Sequence, residues 1–239
     1  MLNVPDTTPA SAADFRGAAR RLYGALPLYA LVPIGFALAF WAGGVPLDPR
    51  AFALGAGGWT LALALRAPIG LLVKGLPKTR ASTWVASASG PLEEGVRLAA
   101  LLLTASSLRW AASLGQGWAA IEVVFAVVNA LAVLRLSQRT DAQAQEIRDA
   151  LAASGNLNAS PLVGVVERIS ASAFHIGSTL LIASNPWWAA LMVPIHTASN
   201  LGVMRLVKRS TFLAEALMAV VGAATLLAGW LALAAANFG

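Results

Sequence analysis

The chain has no cysteine among its 239 residues, so neither a disulfide framework nor a thiolate metal site is possible. Charged residues are also scarce, at 12% of the chain against roughly 25% in soluble domains. Their place is taken by apolar runs close to the length of about 20 residues that crosses a bilayer as a helix. The scarcity of charge and the length of these runs indicate a polytopic helical membrane protein rather than a soluble enzyme.

Two other classes of protein are excluded by the same composition. An outer-membrane barrel would show alternation of apolar and polar residues in short segments, and the sequence has none. The net charge of +6 would suggest a nucleic-acid partner in a soluble domain. In a membrane protein, Lys and Arg in cytoplasmic loops explain it more simply. We therefore expect the lipid bilayer as a partner and no nucleic acid.

The apolar runs predict an all-α fold, a transmembrane bundle of about seven spans. The predicted helices cover 25–43, 52–73, 91–112, 117–136, 161–183, 186–204 and 212–235, with an alternative start near Thr83 for the third. Gly115 and Gly117 are expected to make a tight turn between the third and fourth of them. Residues 1–24 are expected to be a cytoplasmic lead-in without a signal-peptide layout, and 25–239 a single transmembrane domain. The polar insertion 137–160 is expected to be a cytoplasmic loop with a short helix.

The basic residues predict an orientation, because Lys and Arg are enriched in cytoplasmic loops. Twelve of the seventeen flank one end of the predicted helices, whereas the opposite loops carry only Arg50. The twelve are Arg16, Arg20, Arg21, Lys74, Lys78, Arg80, Arg135, Arg139, Arg148, Arg205, Lys208 and Arg209. This distribution predicts a multi-pass protein of the cell inner (plasma) membrane with a cytoplasmic N-terminus and an external C-terminus.

Several ionisable residues fall inside the apolar helices instead of between them. They are Glu93, Glu94, Glu122, Glu167, Arg97, Arg168 and both histidines of the chain, His175 and His196. An ionisable residue at the centre of a membrane helix costs about 2.5–3.5 kcal/mol on insertion scales, so it is by default a functional-site candidate. Each residue alone also has a structural explanation, such as an interfacial ion pair or a hydrogen bond between helices.

Helical spacing places these residues on shared faces. Glu93 and Arg97 are four residues apart and can pair, as can His196 and Asn200. We therefore predict that Glu93, His175, His196 and Asn200 converge on one polar cavity. Whether Glu122 belongs to the same cluster is left open by this pattern.

The order of these motifs resembles that of the CAAX-protease and bacteriocin-processing superfamily of intramembrane proteases (PrsW-like). The matching residues are Glu93, Glu94 and Arg97, then Phe174 and His175, then His196 and Asn200. Within the superfamily the chain is most similar to the YhfC branch, through the stretch that ends at Glu122 and the pair Glu167–Arg168. Trp118 stands where that branch is expected to have a histidine.

The resemblance implies an intramembrane endopeptidase that cleaves a membrane-associated protein or peptide, and we expect the reaction to use no cofactor. Glu93 would be the general base that activates water, with His175 holding the water and Glu94 tuning or positioning the base. Arg97 would orient Glu93, while His196 and Asn200 would stabilise the tetrahedral oxyanion. These roles make Glu93, Glu94, His175, His196 and Asn200 the catalytic candidates. Glu122, Glu167 and Arg168 would support them, in a catalytic or a structural role.

Three alternatives stay open on the sequence. Glu93, His175 and His196 are a possible ligand set for a catalytic zinc ion. The resemblance also allows a membrane binding or immunity protein that holds a peptide without cutting it. A small proton-linked transporter would likewise place acids inside helices, although the sequence shows no inverted repeat of the kind many transporters have.

Overall fold

The structure is a computed structural model that describes residues 12–104, 107–137, 139, 141–153 and 160–238. Within these residues the regular structure is entirely α-helical. The helices are α1 (Ala12–Ala42), α2 (Pro49–Ala64), α3 (Arg66–Val73), α4 (Lys78–Leu102), α5 (Leu108–Ser137), α6 (Ala142–Ala153), α7 (Pro161–Ser184), α8 (Trp188–Leu206) and α9 (Thr211–Phe238).

Four stretches are long and apolar enough to cross a membrane: Phe15–Ala42, Pro49–Val73, Leu108–Leu136 and Thr211–Ala235. They confirm the predicted all-α class and indicate a membrane protein. Three further long helices, α4, α7 and α8, carry most of the ionisable residues singled out above. Because ionisable side chains are polar, they lower the mean hydropathy of the helices that contain them.

The predicted third helix, 91–112, is wrong at both ends. Helix α4 begins at Lys78 and continues through Pro91, although proline usually breaks a helix because it has no N–H to donate. The freed carbonyl of Ser87 instead accepts a hydrogen bond from the Thr197 hydroxyl of α8, at 3.3 Å. Neighbouring Ser and Thr side chains commonly satisfy backbone groups freed in this way inside membranes. The helix therefore runs on to Leu102.

The predicted turn at Gly115 and Gly117 is also wrong, because both residues lie inside α5. They allow close helix contacts instead. A Cβ atom on Gly117 would lie 1.9 Å from the carbonyl oxygen of Phe52 in α2, and one on Gly115 would lie 2.8 Å from the Cα atom of Ile176 in α7. The absence of side chains at these two positions brings α5 against both neighbours.

The short helix predicted within the insertion 137–160 is confirmed as α6. The start of the chain differs from the prediction, since α1 begins at Ala12 and so includes half of the predicted lead-in 1–24. Residues 1–11 and 154–159 lie outside the part of the chain that the structure describes.

Contacts near the helix termini mark the two ends of the bundle. At one end Lys78, the first residue of α4, donates a hydrogen bond to Glu146 of α6. At the other, Arg109 near the start of α5 donates to the carbonyl oxygens of Pro46 and Leu47, at 3.1 and 3.2 Å. We call the first the basic end, since it holds the Lys and Arg residues that follow α3 and α5.

The packing of α4 on α8 gives the first prediction. A Cβ atom on Gly90 would lie 2.2 Å from Oγ1 of Thr197 and 2.5 Å from the carbonyl oxygen of Val193. Gly90→Ala is therefore expected to destabilise the protein by about 1–3 kcal/mol through overpacking. The control is Gly95→Ala in the same helix, where nothing lies within 4 Å. Helix propensity predicts that this change stabilises by up to about 1 kcal/mol.

Thermal unfolding of both variants in detergent measures the difference. Equal melting temperatures for the two would contradict the close approach of α4 and α8.

Candidate active site

Four helices bring ionisable residues to the same depth of the bundle. Glu93 lies fifteen residues into α4, Glu122 and His175 each fourteen residues into α5 and α7, and His196 eight residues into the shorter α8. At about 1.5 Å per residue, the first three lie about 21–22 Å from the start of their helices and His196 about 12 Å. The residues therefore meet near the middle of the bundle, far from either end.

A cavity of about 440 Å³ lies at this level. Its wall includes Glu93, Glu122, Glu167, Arg168, Phe174, His175, His196 and Asn200. Glu93, His175, His196 and Asn200 thus reach one cavity, as their helical spacing predicts. Glu94 and Arg97 lie behind the wall, where both side chains are fully buried.

Glu93 is held by two donors that come from other helices. Arg66 donates to its Oε1 atom, and the indole Nε1–H of Trp118 donates to Oε2 at 3.1 Å. Arg66 is the first residue of α3, directly after the interruption at Leu65 that separates it from α2. In a continuous helix the ring of Pro68 would clash with the carbonyl of Ala64, four residues earlier. The expectation that Arg97 orients Glu93 is wrong, since Arg66 has that position.

Arg97 instead forms a buried ion pair with Glu94. Its Nη1 atom donates to Oε2 of Glu94 and lies 2.7 Å from Oγ of Ser178. Ser178 in turn donates to Oε2 of Glu94 at 2.7 Å, and the remaining oxygen, Oε1, lies 2.7 Å from Nδ1 of His196. The guanidinium also stacks 4.5 Å from the ring centre of Trp118. Adjacent glutamates thus have different partners, because they point about 100° apart on the helix.

These contacts fix the tautomers of both histidines. Nη2 of Arg97 lies 2.9 Å from Nδ1 of His175, and since arginine can only donate, that nitrogen must accept. The proton of a neutral His175 ring is then on Nε2. In His196 the order is reversed: Nδ1 donates to the Glu94 carboxylate, which can only accept. Its Nε2 atom is left facing Glu93.

Glu122 joins the site through His175, which answers the question that the sequence left open. Its Oε2 atom lies 2.6 Å from Nε2 of His175. The angle of this contact does not make it a hydrogen bond, and Oε2 has no hydrogen-bond partner among the described residues. Oε1 accepts from Arg168 at 2.7 Å, and Arg168 also donates to Glu167 at 2.6 Å. A chain of contacts therefore runs from His175 through Glu122 and Arg168 to Glu167.

Both imidazole rings face the carboxylate of Glu93. Nδ1 of His175 lies 3.9 Å from Oε2, and Nε2 of His196 lies 3.9 Å from Oε1. The ring centres are 5.4 Å apart, and Phe174 packs edge-on against both. Polar atoms separated by more than about 3.5 Å are commonly bridged by a water molecule. Glu93 can therefore share a water with Nε2 of His196, whereas the single lone pair of Nδ1 in His175 already accepts from Arg97.

Asn200 lies one helical turn from His196 on the same cavity wall. Its Nδ2 atom donates to Oγ of Ser89 on α4, at 2.6 Å. The amide has two N–H groups, so the expected pairing of His196 and Asn200 at one oxyanion can use the N–H that does not donate to Ser89.

Sequence reasoning missed three residues that contact the cluster: Arg66, Trp118 and Ser89. Arg66 carried a usable signal, since it is an arginine within an apolar run. Trp118 carried one too, because it occupies the position where the resemblance expects a histidine. Its indole supplies a donor to Glu93 there.

The chain matches no protein-family model, no curated protein and no solved structure. The resemblance to intramembrane proteases therefore rests on the motifs alone, and the activity must be argued from the geometry of the site.

Proposed function

We propose that the protein is an intramembrane endopeptidase that hydrolyses peptide bonds with a water molecule activated by Glu93. One observation carries the proposal. A buried carboxylate faces two imidazole nitrogens across gaps of 3.9 Å, on the wall of a polar cavity in the middle of the bundle. Ion pairing alone does not require two histidines with fixed tautomers around one carboxylate. The arrangement suits hydrolysis, because water must be both held and deprotonated.

The reaction begins with a water molecule between Glu93 and Nε2 of His196. Glu93 takes a proton as the water oxygen forms a bond to the carbonyl carbon of the substrate. The resulting oxyanion is stabilised by donors on the cavity wall, for which Asn200 and a cationic His196, with protons on both ring nitrogens, are the candidates. The proton on Glu93 then passes to the amide nitrogen as the carbon–nitrogen bond breaks. A new carboxyl terminus and a new amine are released.

Glu94 and Arg97 have positioning roles in this scheme, because they lie behind the cavity wall. Glu94 holds His196 with Nε2 toward Glu93, and Arg97 holds His175 with Nδ1 toward Glu93. Glu122 contacts the opposite ring nitrogen of His175, Nε2. Arg168 pairs with both Glu122 and Glu167 and so holds Glu122 in place.

The second candidate is a zinc-dependent protease. Ligand atoms of Glu93, His175 and His196 all lie within 4.8 Å of one another, and two histidines with a glutamate are a known catalytic zinc set. The donor types fit, and Glu94 and Glu122 lie where they can orient the rings, as second carboxylates do in zinc sites. However, Glu93 already accepts from Arg66, and His175 accepts from Arg97. Two guanidinium groups beside the ligand atoms oppose a divalent cation, so we favour the metal-free reaction.

The metal-free reaction predicts that the purified protein carries far less than one zinc ion per chain. Strong chelators are expected to leave the rate of cleavage unchanged. Elemental analysis and a cleavage assay check both statements. One zinc per chain, lost together with activity on chelation and restored with it on adding zinc back, would establish the metalloprotease instead.

We also propose that α4, α7 and α8 cross the membrane, which gives the seven spans that the sequence predicts, in the cell inner (plasma) membrane. Their lengths of 25, 24 and 19 residues correspond to about 37, 36 and 28 Å. The hydrocarbon core is about 30 Å thick. With Lys and Arg at the basic end, the N-terminus is then cytoplasmic.

This topology predicts the location of reporter fusions. A reporter after Gly239 should read as external, and one placed after Lys208, between α8 and α9, should read as cytoplasmic. A cytoplasmic reading after Gly239 would overturn the seven-span arrangement.

The endopeptidase proposal is tested by expressing the wild type and Glu93→Gln side by side and comparing the peptides of membrane proteins. Wild-type cells are expected to contain truncated fragments whose parent proteins stay intact with the variant, at equal levels of both enzymes. Identical peptide sets would refute the proposal and leave a binding protein or a transporter.

A further inference from the structure

The cavity wall is distributed unevenly along the helices that form it. On α4, which starts at the basic end, the wall residues other than Glu93 are Ser82, Val85, Ala86 and Ser89, and all precede it. Because this helix runs away from the basic end, each of them lies nearer that end than Glu93 does. The cavity therefore extends from Glu93 toward the basic end.

The other two walls show the same asymmetry. On α7, Arg168 and Ala171 precede His175. On α8, which runs back toward the basic end, Asn200, Val203 and Met204 follow His196. In each case the wall extends from the histidine in the direction of Lys208 and Arg209, which follow α8. Three helices thus agree on the direction in which the cavity opens.

A second cavity continues in that direction. It has a volume of about 510 Å³, and its wall includes Tyr29, Asn129, Ser160 and Glu215. Glu167 borders both cavities. The side chain of Glu167, held by Arg168, therefore stands between the inner cavity and the outer one.

The inner cavity has two kinds of wall. Hydroxyl and amide groups of Ser82, Ser89 and Asn200 lie on it together with the apolar side chains of Val85, Val203 and Met204. Its volume of about 440 Å³ is within the range of about 300–1,000 Å³ typical of ligand sites. Polar groups for a backbone and apolar surface for side chains suit a few residues of an extended peptide.

We infer that substrate and water reach Glu93 through one channel that opens at the basic end of the bundle. On the proposed peptidase function, the substrates are then peptide segments with apolar side chains that enter from the cytoplasmic side. The direction of the channel itself does not depend on that function.

The absence of cysteine makes this inference directly testable, because any introduced cysteine is the only thiol in the chain. Ala86→Cys, Ala171→Cys and Val203→Cys place a thiol on each of the three walls. Each variant is treated, in sealed vesicles of known orientation, with a charged thiol reagent that cannot cross the membrane. We expect all three to react from the side of the basic end.

The matched control is Ile169→Cys, two residues from Ala171 on α7 and about 200° around the helix. Its side chain is 46% exposed on the outer surface of the bundle. It is expected to react at least about tenfold more slowly, because the reactive thiolate forms in water and not in lipid. Lys208→Cys and Arg50→Cys, both exposed, mark the two sides of the membrane.

Reaction of the wall cysteines only from the side marked by Arg50→Cys would overturn the inference, and so would rates as low as that of Ile169→Cys from both sides. Labelling is repeated with Glu93→Gln, which is not expected to close the channel. A channel that labels as expected in a protein that cleaves nothing would refute the peptidase while leaving the channel standing.

Discussion

Replacing Glu93 with Gln is expected to lower the rate of peptide hydrolysis by about 10²–10⁴-fold, the usual contribution of a general base. The amide has nearly the same shape as the carboxylate but cannot take a proton from water. It keeps one oxygen for the hydrogen bond from Arg66 or Trp118, so the fold should be retained. The effect is therefore expected on the chemical step, with little change in the amount of protein.

The measurement is single-turnover cleavage of a membrane peptide by the purified protein in vesicles. Glu146→Gln is the control, because it is the same chemical change at an exposed glutamate on α6. It should cleave at the wild-type rate. A Glu93→Gln protein that also cleaves at close to the wild-type rate would exclude Glu93 as the base.

Arg97→Met is expected to destabilise the protein by about 3–5 kcal/mol, the cost of leaving a buried charge without its partner. Arg97 and Glu94 are fully buried, and Arg97 also contacts Ser178 and His175. Methionine fills much of the same space, so the loss of charge and hydrogen bonds dominates the effect. The control is Arg109→Met, whose side chain is 53% exposed. There we expect a change within about 0.5 kcal/mol.

The double variant Glu94→Gln with Arg97→Met separates the ion pair from the packing. Removing both charges leaves no uncompensated ion in the interior, so the double variant should be more stable than the sum of the single costs predicts. Coupling between contacting residues is typically about 0.5–3 kcal/mol. Unfolding in detergent by heat or denaturant measures it. Single costs that simply add would show that Glu94 and Arg97 do not stabilise each other.

The sequence predicted the all-α class and the convergence of Glu93, His175, His196 and Asn200 on one cavity for one reason. Polar groups are costly inside apolar helices, so Glu93, His175 and His196 were conspicuous there. Shared-face spacing then predicted their convergence. Glu122 was harder to place because the predicted fourth helix began at 117. That start put Glu122 close to the first turn of the helix. Since α5 in fact begins at Leu108, Glu122 lies near its middle, level with His175.

Which charged residues pair with each other could not be predicted from the sequence in the same way. Glu93 and Glu94 are adjacent, and the rotation of α4 decides which of them faces Arg97. That rotation is set by packing on α8, in which Gly90 and Thr197 take part. The position of Arg66 depends on the helix interruption at Leu65. Gly115 and Gly117 permit either a turn or a close helix contact. In each case one local pattern allows two structures, and only the neighbouring helix selects between them.

Hydrolysis by Glu93-activated water is tested most directly by cleavage in water enriched in heavy oxygen. The purified protein, in vesicles, is given a membrane peptide, and the products are weighed by mass spectrometry. We expect new carboxyl termini that each carry a single heavy oxygen from the solvent, and none above background with Glu93→Gln. A peptide that stays intact with the wild-type protein, or equal labelling with Glu93→Gln, would contradict the proposed reaction.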